Sequence, residues 1–287
     1  MRPGKERGTR VIKLFAADLD GTLLNALHQT DPVILRSLRR LRAAGAHFSV
    51  ATGRTLRSNR ALGFEGNVGV VCCNGSIVLD EKGHVARTAP LPEGFAGELA
   101  AAFPKAAIDF ITAEHTYHLC SEAQHAAAYA GMPLWRKVVM RGMSMTGGPE
   151  HVYDCDPAQI AGLEVCKINA HIDGMPEAPE VASFIAEHPE VVNAPFNPSM
   201  FEVTRVGVNK GEAVAWLAGY LGIREDEVAV YGDGGNDIQM LERFAGYGHA
   251  YATSNGSDAA KHAAGNVIGS CATWAVSRHM LVTLRAQ

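Results

Sequence analysis

Paired cysteines are the first thing this sequence lacks. Its six cysteines, Cys72, Cys73, Cys120, Cys155, Cys166 and Cys271, show no CxxC spacing, so neither a zinc ribbon nor a disulfide framework is indicated and reduced, buried thiols are expected. Long apolar runs are missing too. No segment approaches the roughly 18 apolar residues needed to cross a bilayer, and the opening MRPGKERGTR is not followed by an apolar stretch suited to a signal peptide. No membrane partner and a cytoplasmic location are therefore expected. Basic excess is also absent. A net charge of −4 argues against a dedicated nucleic-acid binder, though one cation could still draw in a small anion. No GxGxxG fingerprint occurs.

What is present is an ordinary globular balance, 47% hydrophobic over 287 residues, enough for one large core or two modest ones. VIKLFAADLD is apolar nearly throughout, as a strand buried on both faces of a parallel sheet would be. DPVILRSLRRLRAAGAH follows with helical spacing, Asp31 placed as its cap, Pro32 in its first turn and Gly45 at its stop. FSVATGR is a second short strand, and VGVVCCNGSIVLD a strand, an Asn-Gly turn and a return strand. Strand, helix, strand at these lengths predicts an α/β fold with a doubly wound parallel sheet. Near residue 87 the style changes. Residues 87–205 mix alanine-rich helical pieces with strand-like ones (IDFITAE, TYHLC, LEVCKINAHI, FEVTRV), and from 206 the first style returns. The expected organisation is a core domain built from 1–86 and 206–287, with a smaller α/β domain inserted between.

In an open parallel sheet, ligands bind at the carboxyl ends of the strands. Asp18 and Asp20 follow one apolar strand; Asp233, Asn236 and Asp237, in GDGGND, follow another; Thr52 and Gly53 end a third; Lys210 opens a helix. Each alone reads blandly: a bare DxD is usually a polar turn and a lone lysine usually a surface one. An EF-hand loop is a poor alternative, because Thr22 stands at its fifth position and Gln29 at its twelfth. Together the groups suit phosphoryl chemistry, with Asp18 as nucleophile and metal ligand, Asp20 as acid and base, and Gly21 where backbone approaches a ligand. Asp233 would complete an oxygen shell for Mg²⁺, and Lys210 and the Thr52 hydroxyl would hold an anion.

In their order, DLDGTLL, ATGR, NKG and GDGGND resemble the four motifs of the haloacid dehalogenase superfamily. The insertion between the second and third resembles the α/β cap of its Cof-like branch (class II, B type), and the match runs from about residue 11 to 270. The resemblance implies that Asp18 attacks phosphorus, and that Asp20 protonates the leaving group and then activates water. Thr52, Gly53 and Lys210, with Asn236, would bind the phosphoryl group. Asp18, the Asp20 carbonyl and Asp233 would hold Mg²⁺, supported by Asp237. The implied activity is a Mg²⁺-dependent phosphatase of small phosphorylated metabolites, sugar phosphates foremost, in a monomer or homodimer. A phosphomannomutase-like mutase using the same aspartyl-phosphate and a non-catalytic phospho-ligand sensor are the rivals. Relatives often carry Gly-Asn-Ala where this chain has SNGSDAAK, so Asn255 is assigned no role. His115, His118, Cys120 and His125 crowd into EHTYHLCSEAQH; their spacing fits no closed zinc site, and they are expected to be ordinary cap residues. The Met-rich VVMRGMSMTGG reads as a cap loop or core filler.

Overall fold

The computed structural model describes residues 11–24, 29–128, 150–173, 175–195 and 198–286. The Met-rich segment, 138–148, lies outside them. Two compact units emerge, one from 1–51 with 214–287 and the other from 52–213.

The first unit is built on parallel strands in the order Val267–Ile268, Ala250–Thr253, Val228–Gly232, Leu14–Ala17, His47–Ala51. Leu14, Phe15, Ala16 and Ala17 are all buried, which explains why that strand shows no polar alternation. Helix Pro32–Ala43 starts as expected: Asp31 Oδ1 accepts from the N–H groups of Val33 (2.9 Å) and Ile34 (3.0 Å), and Asp31 Oδ2 accepts from Trp274 Nε1 (2.6 Å). Gly45 ends it at φ +78°, a conformation that costs any residue with a Cβ. Val267–Ile268 pairs with Ala250–Thr253 at the sheet edge; its two residues carry too little pattern to be seen in sequence.

In the second unit, Gly69–Cys72, Ile77–Leu79 and Val85–Thr88 form an antiparallel meander, its first turn running through Cys73–Gly75. A six-stranded sheet has the order Val191–Asn193, Met200–Arg205, Lys167–His171, Ile108–Ile111, His115–Tyr117, Glu150–Val152. Its strand pairs are antiparallel apart from the last, His115–Tyr117 with Glu150–Val152, which is parallel. Ile108, Phe110, Ile168, Ala170, Phe201 and Val203 alternate onto one face and form a core with Phe95 and Leu99 of helix Phe95–Ala102 and Val181 and Ile185 of helix Ala178–Ala186. The alternate residues form the other face, where Asp109, Asn169 and Glu202 stand in register across three strands. Among the described residues, no helix is long and apolar enough to cross a membrane. All six cysteines are free, and five are buried.

Candidate active site

Strand Leu14–Ala17 lies between Val228–Gly232 and His47–Ala51, where the strand order reverses. This is the switch point at which an open α/β sheet binds ligands. Because Ala17 pairs with Tyr231, Asp18 and Asp233 leave neighbouring strands at nearly the same level, and the Asp18 N–H extends the ladder to the Tyr231 carbonyl (2.9 Å). Asp18 is 6% exposed, a carboxylate held where an apolar strand ends.

The chain then makes a wide turn, with Leu23 N–H on the Asp18 carbonyl (3.1 Å) and Leu24 N–H on that of Leu19 (2.9 Å). Inside it, half-buried Asp20 has extended backbone and Gly21 sits at φ +79°. A Cβ on Gly21 would overlap the Asp233 carboxylate, so the glycine is required twice, by its φ and by this close approach. Thr22 Oγ1 donates to Asp233 Oδ1 (2.7 Å). Asp237 Oδ2 accepts from the N–H groups of Asp233 and Gly234, both at 2.9 Å, and a Cβ on Gly232 would fall 2.6 Å from that of Asp237. Asn236 is half-buried in the turn Gly235–Asp237.

Asp18, Asp233 and Asp237 each place a carboxylate oxygen within 4.8 Å of the others. Two like charges about 4 Å apart repel by about 4 kcal/mol at an effective dielectric of 20. A divalent cation at the centre turns that repulsion into attraction. The donors are all oxygen, Asp18 and Asp233 just past strand ends and Asp237 from the turn that follows, which suits Mg²⁺ with its remaining positions taken by water or substrate. The structure thus brings together the three carboxylates; Asp237, expected to support the site and to reach the metal through water, supplies one of them.

Asn255, left without a role by the sequence, holds the first acidic turn. Its Nδ2 donates to the Gly21 carbonyl (2.8 Å), which also accepts from Thr253 Oγ1 (3.2 Å), and its Oδ1 accepts from Cys271 N–H (2.9 Å). Ser257 N–H donates to the Asp233 carbonyl (2.9 Å), and a Cβ on Gly256 would sit 2.9 Å from Asp233 Cα. The SNGS segment therefore clamps both acidic loops without the Gly-Asn-Ala pattern; the amide contacts carry the function.

Thr52, Gly53 and Lys210 lie in the second unit. Thr52 is buried, its N–H on the Val71 carbonyl (2.8 Å), its carbonyl accepting from Asn74 N–H (3.1 Å) and its Oγ1 from Arg54 N–H (3.1 Å). Lys210, the first residue of helix Lys210–Tyr220, is fully buried, so the surface-lysine reading fails. Sequence reasoning missed what fixes the Gly53 carbonyl: buried Lys167 donates to it (3.2 Å) and pairs with Glu202 (2.6 Å). Both lie on the polar face of the six-stranded sheet, and the i, i+2 alternation of LEVCKINAHI and FEVTRV was the available signal.

The haloacid dehalogenase-like hydrolase family model matches residues 15–280, and the chain belongs to that family. It is 26% identical over 265 residues to the 5-amino-6-(5-phospho-D-ribitylamino)uracil phosphatase YitU of Bacillus subtilis, spanning 88% of this chain and 90% of the relative. It is 28% identical over 284 residues to the pyridoxal phosphate phosphatase YbhA of Escherichia coli, spanning 94% and 97%. A solved haloacid dehalogenase-like hydrolase from B. subtilis shares the fold, with a TM-score of 0.74 and 22% identity over 94% of this chain and 99% of that one.

Proposed function

We propose that this chain is a Mg²⁺-dependent phosphatase of small phosphorylated metabolites, sugar phosphates foremost, working in the cytoplasm through an aspartyl-phosphate on Asp18. Its class, phosphoric monoester hydrolase, follows from the family and from relatives named as phosphatases. The observation that carries the mechanism is the carboxylate triad Asp18, Asp233 and Asp237, gathered at the carboxyl ends of adjacent strands and the turn that follows, with Gly21 leaving room for it.

A phosphate monoester resists attack because its oxygens are anionic, so catalysis is mostly positioning and charge neutralisation. Bound among Asp18, Asp233 and Asp237, with the Asp20 carbonyl as the further expected ligand, Mg²⁺ supplies the neutralisation that lets a carboxylate approach the ester. Asp18, anchored by its own N–H on Tyr231, is the nucleophile. Asp20, two residues on and half-buried, protonates the leaving oxygen and then takes a proton from the attacking water. The Thr52 hydroxyl, the Gly53 N–H and Lys210 take the phosphoryl oxygens, with Asn236 assisting. Residues 87–205 act as the cap that chooses the substrate. Support for a polar, hydroxylated substrate comes from the second unit, where Asn169 Oδ1 and Arg57 Nε and Nη1 are buried without a hydrogen-bond partner among the described residues. The relatives' named substrates, one on a ribityl chain, are likewise phosphates of small polar metabolites.

The test is phosphate release from a phosphometabolite panel. Excess chelator should abolish it and Mg²⁺ restore it, with Ca²⁺ a poor substitute because it invites extra ligands. Full turnover in chelator, or transfer to a second sugar with no release of inorganic phosphate, would overturn the reading.

A further inference from the structure

The six-stranded sheet carries a second group of metal-ligating side chains, and nothing in the phosphatase reading uses it. Asp109 comes from the polar face of strand Ile108–Ile111, His118 from just beyond strand His115–Tyr117, and His125 from helix Glu122–Ala128. One ligand atom from each lies within 4.8 Å of the others. A single carboxylate oxygen, Asp109 Oδ1, faces both rings, 2.8 Å from His125 Nε2 and 3.3 Å from His118 Nδ1. For metal–ligand bonds of about 2.0–2.1 Å, the edge of a tetrahedron is about 3.4 Å. The two edges at Asp109 lie at or below that length and the third within 4.8 Å, so small side-chain shifts open the trio into three corners of a coordination shell.

His118 shows why a cation belongs there. Its ring is completely buried, and its Nε2 lies 2.7 Å from Nδ1 of His151. Tyr153 stacks on the ring at 4.6 Å between centroids and 18° between planes. Among the described residues its Nδ1 has no hydrogen-bond partner, although Asp109 Oδ1 lies 3.3 Å away. When Nε2 carries the proton and donates it to His151, Nδ1 points a lone pair at a carboxylate. Two electron-rich atoms so placed in a buried site call for a positive centre between them. His151 is then the outer partner that fixes the tautomer of a ligating imidazole.

We infer that Asp109, His118 and His125 form a binding site for one divalent transition-metal ion of the zinc class, distinct from the all-carboxylate site at Asp18. Two imidazoles and one carboxylate favour Zn²⁺ over Mg²⁺, which prefers oxygen. Three protein ligands leave a fourth position for water, and Asp109 and His125 keep about 15% of their side-chain surface exposed, a route of entry. The sequence concealed the site because the three ligands come from three elements; His115 and Cys120, which crowd the same segment, are not in the trio.

The test uses the full-length protein, stripped with chelator and then held in excess Mg²⁺ so that the acidic site is filled. Zn²⁺ titrated against a chromophoric chelator should bind at one equivalent per chain. Co²⁺ at the same stoichiometry should give the visible absorption of a four-coordinate nitrogen–oxygen site, without the thiolate charge-transfer bands that the cysteines would produce. His125→Ala, at the half-open corner, and Asp109→Asn should each weaken binding more than about 100-fold, and His151→Phe by about 10–100-fold. Asp18→Asn should leave it unchanged, so the inference stands or falls independently of the phosphatase mechanism. No Zn²⁺ uptake by the wild-type protein, thiolate bands with Co²⁺, or unchanged affinity in a correctly folded His125→Ala protein would overturn it. The trio would then be a hydrogen-bonded imidazole–carboxylate cluster alone.

Discussion

Two glycines with almost the same backbone angle separate backbone strain from damage to the acidic site. Gly21 has φ +79° and Gly45 φ +78°, yet among the described residues nothing lies within 4 Å of a Cβ built on Gly45, whereas one on Gly21 falls 2.8 Å from Asp233 Cγ and closer still to its Oδ2. Gly45→Ala should cost only the left-handed penalty of about 1–2 kcal/mol. At about 2–4 °C per kcal/mol for a domain of this size class, that lowers the melting temperature by a few degrees. Gly21→Ala bears the same penalty and must also displace Asp233. The Asp233 backbone cannot follow, because Ser257 N–H holds its carbonyl and Asp237 its N–H. Its carboxylate must swing instead, losing the Thr22 hydrogen bond, worth about 1 kcal/mol. A displaced ligand should raise the Mg²⁺ concentration for half-maximal activity at least about tenfold, or about 1.4 kcal/mol. The assay is phosphate release against Mg²⁺ concentration for both variants, with calorimetric melting in chelator and in Mg²⁺. A Gly21→Ala protein with the wild-type Mg²⁺ requirement, or a Gly45→Ala protein with the same rise, would refute the reasoning.

Two further predictions concern buried polar partners. Glu202→Gln strips Lys167 of its counter-charge and should destabilise the protein by about 3–5 kcal/mol, whereas the Lys167→Met/Glu202→Leu double variant should lose much less; equal denaturation midpoints for the two would contradict a buried ion pair. Burial also lowers the pKa of His279, which contacts the Tyr231 hydroxyl at 3.0 Å. Because the unfolded chain then takes up the proton first, the contribution of neutral His279 is complete above about pH 6.5 and declines as pH falls below it. His279→Gln should flatten the loss of melting temperature between neutral and mildly acidic pH, and an unchanged slope would count against it.

The elements legible in the sequence were those whose signal is local. Asp31 and Pro32 mark a helix start by their own chemistry, and the unbroken apolar run before Asp18 marks a buried strand. Three-residue strands such as Val191–Asn193 and Glu150–Val152 were invisible, because partners supply the order that so short a segment cannot encode. The acids were legible for the same local reason: DLDGT and GDGGND each place their carboxylates just past an apolar strand. The groups that hold them were not. Asn255 reaches Gly21 across 234 residues and Lys167 reaches Gly53 across 114, and only the fold joins such pairs.

The proposed division of labour between Asp18 and Asp20 is tested most directly by turnover of p-nitrophenyl phosphate by Asp20→Asn and Asp18→Asn proteins in saturating Mg²⁺. The nitrophenolate leaving group needs little protonation, so attack by Asp18 should survive loss of Asp20. Hydrolysis of the phosphoenzyme still needs a base, whose removal typically costs about 10²–10⁴-fold. The account predicts a burst near one equivalent of nitrophenol and accumulation of an acyl-phosphate in Asp20→Asn, with neither in Asp18→Asn. A burst that persists in Asp18→Asn, or an Asp20→Asn protein that gives no burst and accumulates no acyl-phosphate, would contradict it and leave the carboxylates as a metal site alone.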